Sequence, residues 1–276
     1  MHLKVFAIHY KGVLAPKCRS DCFEPFMADD DPCWAELTAH EHILKEYLPQ
    51  FTNERFLGFC HYRRFPDFWR KRPSKFLPHI GFKKFAEDFS SKYAEKNILS
   101  VIDGYDVVVP CPCRWGYGVK SNYQQYLISG HPPRELDRLI EIIRCDYPQM
   151  VEDLDLYLTG RKAYLWLQFI MRRDWFKEFL VWEFEILKKL EKSFNWQSKE
   201  YHTYARRRVP AFLAERFFNV FLNHKMRTCR GKLLERQCLF LVPDEELGLV
   251  NEMKRYSNFL LEKSMFLLKK CTNSGI

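Results

Sequence analysis

Two segments, LKVFAIHY (residues 3–10) and RFLGFCHY (55–62), carry apolar side chains on both faces. A strand with no polar face has no side to show to water, so it belongs inside a parallel sheet covered by helices. Between them PCWAELTAHEHILKEYL (32–48) has a helical pattern. Pro32 suits the first turn of that helix, and Asp29, Asp30 and Asp31 suit its positive end. Strand, helix, strand predicts an α/β fold with a mostly parallel central sheet flanked by helices.

The rest of the chain continues the alternation. FKKFAEDFSSKYAEKNILSVI (82–102) has a helical period, and YDVVVPCPCRWG (105–116) predicts a third strand ended by Pro110 and Pro112. Helices are expected over 134–148, 176–194 and 206–225, the last entered through Pro210, and a strand opens 163–176. The connections 11–33, 66–82 and 117–132 read as loops. No repeat or low-complexity linker divides the 276 residues, a length that one large domain can fill. We expect one domain over 1–225 and a basic helical extension over 226–276. In the extension, SNFLLEKSMFLLKKC (257–271) can gather apolar residues on one side and lysines beside them. It can pack on the domain or lie on an anionic membrane surface.

The net charge is +9, which points to an anionic partner. A nucleic acid is one reading, supported by the run WRKRPSK (69–75). No helix-turn-helix, zinc-finger or RNA-binding pattern accompanies it, so no nucleic-acid partner is expected. The start of the chain lacks a secretory pattern, and no stretch is long and apolar enough to span a bilayer. A cytoplasmic protein is expected. Ten cysteines occur without paired CxxC knuckles, so free buried thiols are expected in place of a metal site.

The most informative chemistry stands at the end of the second strand. His61, Tyr62, Arg63 and Arg64 follow directly on five apolar or small residues. Ligands of open α/β sheets sit beyond the carboxyl ends of strands. Arginine binds phosphate oxygens in bidentate fashion and keeps its charge, and histidine can add a hydrogen bond. The group can therefore hold a phosphate or diphosphate. Alternatively, the arginines pair with Asp67, Asp103 or Asp106 for structure alone. Nucleotide-sugar enzymes commonly carry Asp-x-Asp at such a place to hold a metal; here the position is cationic, so no divalent metal is expected.

The pair WAELTAHEHILKEYL and RFLGFCHYRRF resembles a bacterial family of glycosyltransferase-like proteins long labelled a domain of unknown function. Further similarity lies in Tyr105–Pro110, Phe169–Met171 with Trp182, and Ala214–Phe217. The resemblance covers residues 1–225. It implies a GT-A-like nucleotide-sugar fold and work in capsule, O-antigen or exopolysaccharide assembly. It also implies a UDP-hexose donor, galactose or galactofuranose, and a glycan or lipid-linked glycan acceptor, with the enzyme at the inner face of the plasma membrane. The chain departs from the family in reading DDDPCW before ELTA and Leu167-Gln168 before FIM, and these departures keep a non-catalytic glycan-binding relative as the alternative.

Under this resemblance His61, Arg63 and Arg64 bind the donor diphosphate. Glu36, Thr38, Tyr62, Tyr117 and Gln168 are expected around the donor and acceptor. A transfer with inversion needs a base for the acceptor hydroxyl. Glu215, beside Arg216 on an apolar helix, is one candidate, and Asp31 is the other. A buried Glu215–Arg216 pair and a capping role for Asp31 are the structural alternatives. Trp115 and Tyr123 can stack on a base or sugar, or pack locally.

Overall fold

The structure, a computed structural model, describes residues 2–13, 22–31, 33–68, 78–90, 94–116 and 118–248. Its strands are β1 (Leu3–His9), β2 (Phe23–Met27), β3 (Phe56–His61), β4 (Arg64–Pro66), β5 (His79–Gly81), β6 (Val107–Pro110), β7 (Cys113–Arg114), β8 (Lys162–Ala163), β9 (Phe169–Arg172), β10 (Leu233–Arg236) and β11 (Cys238–Val242). Its helices are α1 (Leu37–His42), α2 (Phe82–Ser90), α3 (Ala94–Ile102), α4 (Asn122–Ile128), α5 (Pro133–Asp146), α6 (Val151–Thr159), α7 (Arg173–Glu191), α8 (Tyr204–Arg207) and α9 (Val209–Thr228).

The central run of the sheet is β2–β1–β3–β9–β6–β10. β1, β2, β3, β6 and β10 run one way, and β9 alone opposes them. This is the mostly parallel α/β sheet that the two-faced apolar strands require. On β1, Phe6 and Ile8 enter a core with α1, α5, α6, α7 and α9, while Val5 and Ala7 enter a second core with α2 and α3. Each large side chain buried in these layers contributes about 1.5–3 kcal/mol. Gly58 lies where β3 and β9 approach closely. A Cβ there would stand 2.4 Å from the Phe169 carbonyl oxygen, so only glycine fits without a shift.

Several expectations need correction. The stretch 32–48 is not one helix. Its residues 33–36 form turns, α1 is short, and Ile43–Tyr47 form a π-helical turn. The loop expected over 11–33 contains β2, whose Pro25 is tolerated because β2 pairs only with β1, at the sheet edge. The loop expected over 117–132 contains α4, capped by the Ser121 hydroxyl, which accepts from Gln124 N–H.

The C-terminal part differs most. Residues 233–242 were expected to be helical, but they form two strands of the sheet. β10 lies parallel to β6, and beyond Gln237 the chain continues as β11, antiparallel to β4 and parallel to β5. Cys238, Leu239, Leu241 and Val242 are buried there, which decides the conformation. The segment 257–271 and the basic run 69–75 lie outside the described residues. Among the described residues no helix is long and apolar enough to cross a membrane.

Candidate active site

The carboxyl edge of the sheet collects the polar side chains that the core rejects. β3 ends at His61, the two residues Tyr62 and Arg63 turn the chain, and Arg64 opens β4 opposite His61. The turn is held from both sides. Tyr62 N–H donates to the Ile8 carbonyl of β1 (2.9 Å), and Leu241 N–H of β11 donates to the Arg63 carbonyl (2.8 Å). Tyr62 is buried and packs edge-on to Tyr10. The exposed Arg63 guanidinium lies 5.0 Å from the Tyr62 ring centre. Arg64 lies 4.8 Å over the Trp166 ring and 5.8 Å from that of Phe240. Neither arginine forms an ion pair among the described residues. Two of the three aspartates considered as structural partners are engaged elsewhere: Asp103 binds Arg55 and Asp106 binds Arg172.

A second group adjoins the turn. Glu36 precedes α1 and is 8% exposed. Its Oε2 accepts from the Tyr10 hydroxyl (2.8 Å) and from Arg208 Nη2 (2.6 Å). Burial by itself would raise the Glu36 pKa, but Arg208, a backbone hydrogen bond and the Tyr10 hydroxyl together hold it below the ordinary carboxylate value. His61 moves the other way from an ordinary histidine. Burial, then the Arg64 charge, push it down to about 3, against the pull of Glu36. His61 is therefore neutral at physiological pH and offers an uncharged ring N–H.

The third group guards the start of β9. Trp166 and Leu167 both adopt left-handed backbone conformations, with φ of 74° and 46°, which cost energy for side chains of this size. Glu215 of α9 stabilises this corner by accepting from Trp166 N–H (3.0 Å). Its other oxygen faces Arg216 Nη1 at 3.5 Å. Burial raises the Glu215 pKa and Arg216 opposes that rise; the nearby Glu36 charge raises it further. Gln168 follows the corner, buried, with its Oε1 near the Cys238 thiol. Burial pushes that thiol up to about 12 despite the neighbouring Arg64.

Among the described residues the edge holds buried nitrogens without protein partners: His61 Nδ1, Arg64 Nε, Gln168 Nε2, Arg216 Nε and Arg236 Nε. Buried polar atoms are ordinarily hydrogen-bonded, so such a concentration marks a place where polar ligand atoms fit. Four of the five belong to cationic or imidazole groups, which suits an anion. No three His, Cys, Asp or Glu side chains among the described residues converge as a metal site.

The structure thus gathers His61, Arg63, Arg64, Tyr62, Glu36, Gln168 and Glu215 at one edge. It sets two sequence candidates apart. Asp31 Oδ1 caps the following turn, accepting from Cys33 N–H (2.7 Å) and Trp34 N–H (3.1 Å). Thr38 Oγ1 donates to the Ala35 carbonyl and accepts from Asp29 N–H. Both line a different cavity, beside Trp34. Tyr117 lies outside the described residues. Trp115 and Tyr123 serve local structure, donating to Asn122 Oδ1 and Asp137 Oδ1. The rest of the ELTA stretch packs α1. Leu37 and Ala39 are buried, and His40 stacks on Phe59 at 3.9 Å while sharing a hydrogen bond with Glu183.

Sequence reading missed Tyr10, Arg208, Trp166 and Arg236. Tyr10 was visible as the residue just past the first strand, and Arg208 as the last cation of RRR before Pro210.

The WbbM bifunctional glycosyltransferase, in its apo structure, has the same fold, with a TM-score of 0.75 over 87% of this chain and 22% identity. The chain spans 45% of that protein's length. No protein of curated function matches the chain. The model of the family described as Domain of unknown function (DUF4422) matches residues 26–226, and the chain belongs to that family.

Proposed function

We propose that the protein is a glycosyltransferase that moves a hexose from a UDP-sugar to a glycan acceptor, with its donor at the carboxyl edge of β3. The observation that carries this reading is the pair Arg63–Arg64, which has no carboxylate partner among the described residues and stands on a turn tied to β1 and β11.

In this reading the two guanidiniums hold the diphosphate and stabilise the charge that grows on it as the bond to the sugar breaks. Neutral His61 adds a hydrogen bond without itself titrating near neutral pH. The acceptor oxygen attacks the anomeric carbon, and the electron pair of the broken bond leaves on UDP. Glu215, whose pKa burial raises, takes the acceptor proton in a transfer with inversion. No divalent metal is needed, because arginine performs the neutralising role. UDP as the nucleotide, galactose or galactofuranose as the sugar, and a surface polysaccharide as the product rest on the family resemblance. Contact of residues 257–271 with an anionic leaflet rests on the sequence alone.

Calorimetry with UDP, GDP and CMP, followed by UDP release from UDP-hexoses, tests the reading. Saturable UDP binding and slow release of UDP from UDP-hexose are expected. No binding of any of the three nucleotides would overturn it.

A further inference from the structure

Two adjoining cavities of about 560 and 360 Å³ lie beside the turn that carries Glu36, and they share Trp34, Glu191 and Gln197. Together they form one groove between the start of α1, the end of α7 and residues 192–197. We propose that this groove binds a neutral glycan chain, the acceptor side of the proposed transfer.

Trp34 is half-buried and borders both lobes, so its ring can serve as a platform for the apolar face of a sugar ring. Around it stand planar polar groups suited to hydroxyl pairs. Among the described residues the side chains of Asp30, Glu191 and Gln197 make no hydrogen bond or ion pair. Trp196 is 5% exposed and lines the second lobe, and its indole N–H has no acceptor among the described residues. An aromatic platform with a few polar groups around it is the pattern of a small-molecule site.

Charge decides the class of ligand. Among the described residues lining the two lobes, Asp29, Asp30, Asp31, Glu41 and Glu191 outnumber Lys188 and Lys192, and Glu41 is paired with Lys45 at its side. The groove is acidic in a protein of net charge +9. A nucleoside diphosphate, a uronic-acid chain or a phosphorylated glycan is repelled there, and a neutral chain is not.

Backbone geometry joins this groove to the donor edge. Ala35, at φ 48°, stands between Trp34, which faces the groove, and Glu36, which faces Tyr10 and Arg208. One short turn therefore presents a side chain to each of the two sites.

The proposal rests on the glycosyltransferase reading for its link to catalysis, but glycan binding can be measured separately. Short neutral galacto- and gluco-oligosaccharides are titrated into the full chain, with oligogalacturonates as acidic comparators. Tryptophan fluorescence and saturation-transfer NMR read binding, and calorimetry reads UDP on the same samples. A neutral oligosaccharide is expected to bind, and Trp34→Ala to weaken it about tenfold, as loss of a stacked ring does. UDP affinity is expected to be unchanged in that variant. Gln197→Ala, at an exposed position, gives the same test should Trp34→Ala fail to fold. The proposal is overturned if no neutral oligosaccharide binds, if oligogalacturonate binds equally well, if UDP displaces the glycan, or if both variants bind as the parent does. UDP binding without glycan binding removes the groove and leaves the donor reading standing. Glycan binding without UDP binding does the reverse.

Discussion

The two edges of the central sheet use the same residue, arginine, in opposite ways. At the amino edge Arg55 binds Asp103 at 2.9 Å, and Arg172 binds Asp106 at 3.2 Å and Asp174 at 2.8 Å. Asp106 also accepts from Lys232 N–H, so the ends of β6, β9 and β10 are fastened together. At the carboxyl edge Arg63 and Arg64 rest on aromatic faces, with no carboxylate paired to them among the described residues. Arg208, beside them, shares the Glu36 carboxylate with the Tyr10 hydroxyl. A paired cation at a sheet edge closes its own electrostatics, whereas an unpaired one held by its stem and by cation–π contact remains able to bind an anion. The contrast separates ion-paired charge from charge left open to a ligand within one sheet.

Substitution breaks this contrast most strongly at Arg64. Arg64→Ala is expected to weaken UDP binding about 10- to 100-fold, since a charged hydrogen bond contributes roughly 1.5–3 kcal/mol. Calorimetry on the folded variant checks it, and unchanged affinity would remove Arg64 from the site.

A pH series sharpens the comparison at His61. Its folded pKa, about 3, lies below that of an unfolded histidine, about 6.5. Between these values the unfolded chain holds the extra proton, so stability is present above about pH 6.5 and is lost on acidification toward pH 3. His61→Gln should lose less stability than the parent between pH 7 and 4, by up to about 1.4 kcal/mol per pH unit. Urea unfolding at several pH values reads the difference, and parallel curves for the two proteins would contradict it.

The amino edge should respond weakly. Arg172→Ala removes exposed ion pairs, which contribute about 0–1 kcal/mol, and should leave UDP affinity at the parent value. A fall in UDP affinity there as large as at Arg64 would erase the distinction between the edges. The smallest expected effect is that of EDTA, which should not change UDP binding at all. Loss of binding in EDTA with recovery in manganese would return the donor site to a metal-dependent carboxylate set.

Much of the fold was legible in the chain because its central elements have one dominant requirement. β1 and β3 are apolar on both faces, and α5, α7 and α9 repeat apolar residues at helical spacing, so burial alone decides them. Short or edge elements carry no such signal. β2 contains a proline, and β10 mixes Leu233 and Leu234 with Glu235 and Arg236, a pattern equally suited to a basic helix. The site divides in the same way. His61 to Arg64 were visible because cations follow directly on an apolar strand. The Tyr10–Glu36–Arg208 group was not, because Glu36 meets partners 26 and 172 residues away. Glu215 was visible as a carboxylate on an apolar helix. Its contact with Trp166 depends on two left-handed residues that no local pattern announces.

The strand pairing of β11 also sets an order of events in time. Chains fold as they are synthesised, amino-terminal parts first. β1, β3 and the Arg63 turn leave the ribosome early, yet the hydrogen bond from Leu241 that holds the Arg63 carbonyl becomes possible only after nearly 180 further residues have followed. A nascent chain carrying every residue through α9 would already own its arginines but not the strand that fixes their turn. Nucleotide binding by stalled nascent chains should therefore switch on abruptly as residues 238–242 emerge, and so serve as a clock for completion of the sheet.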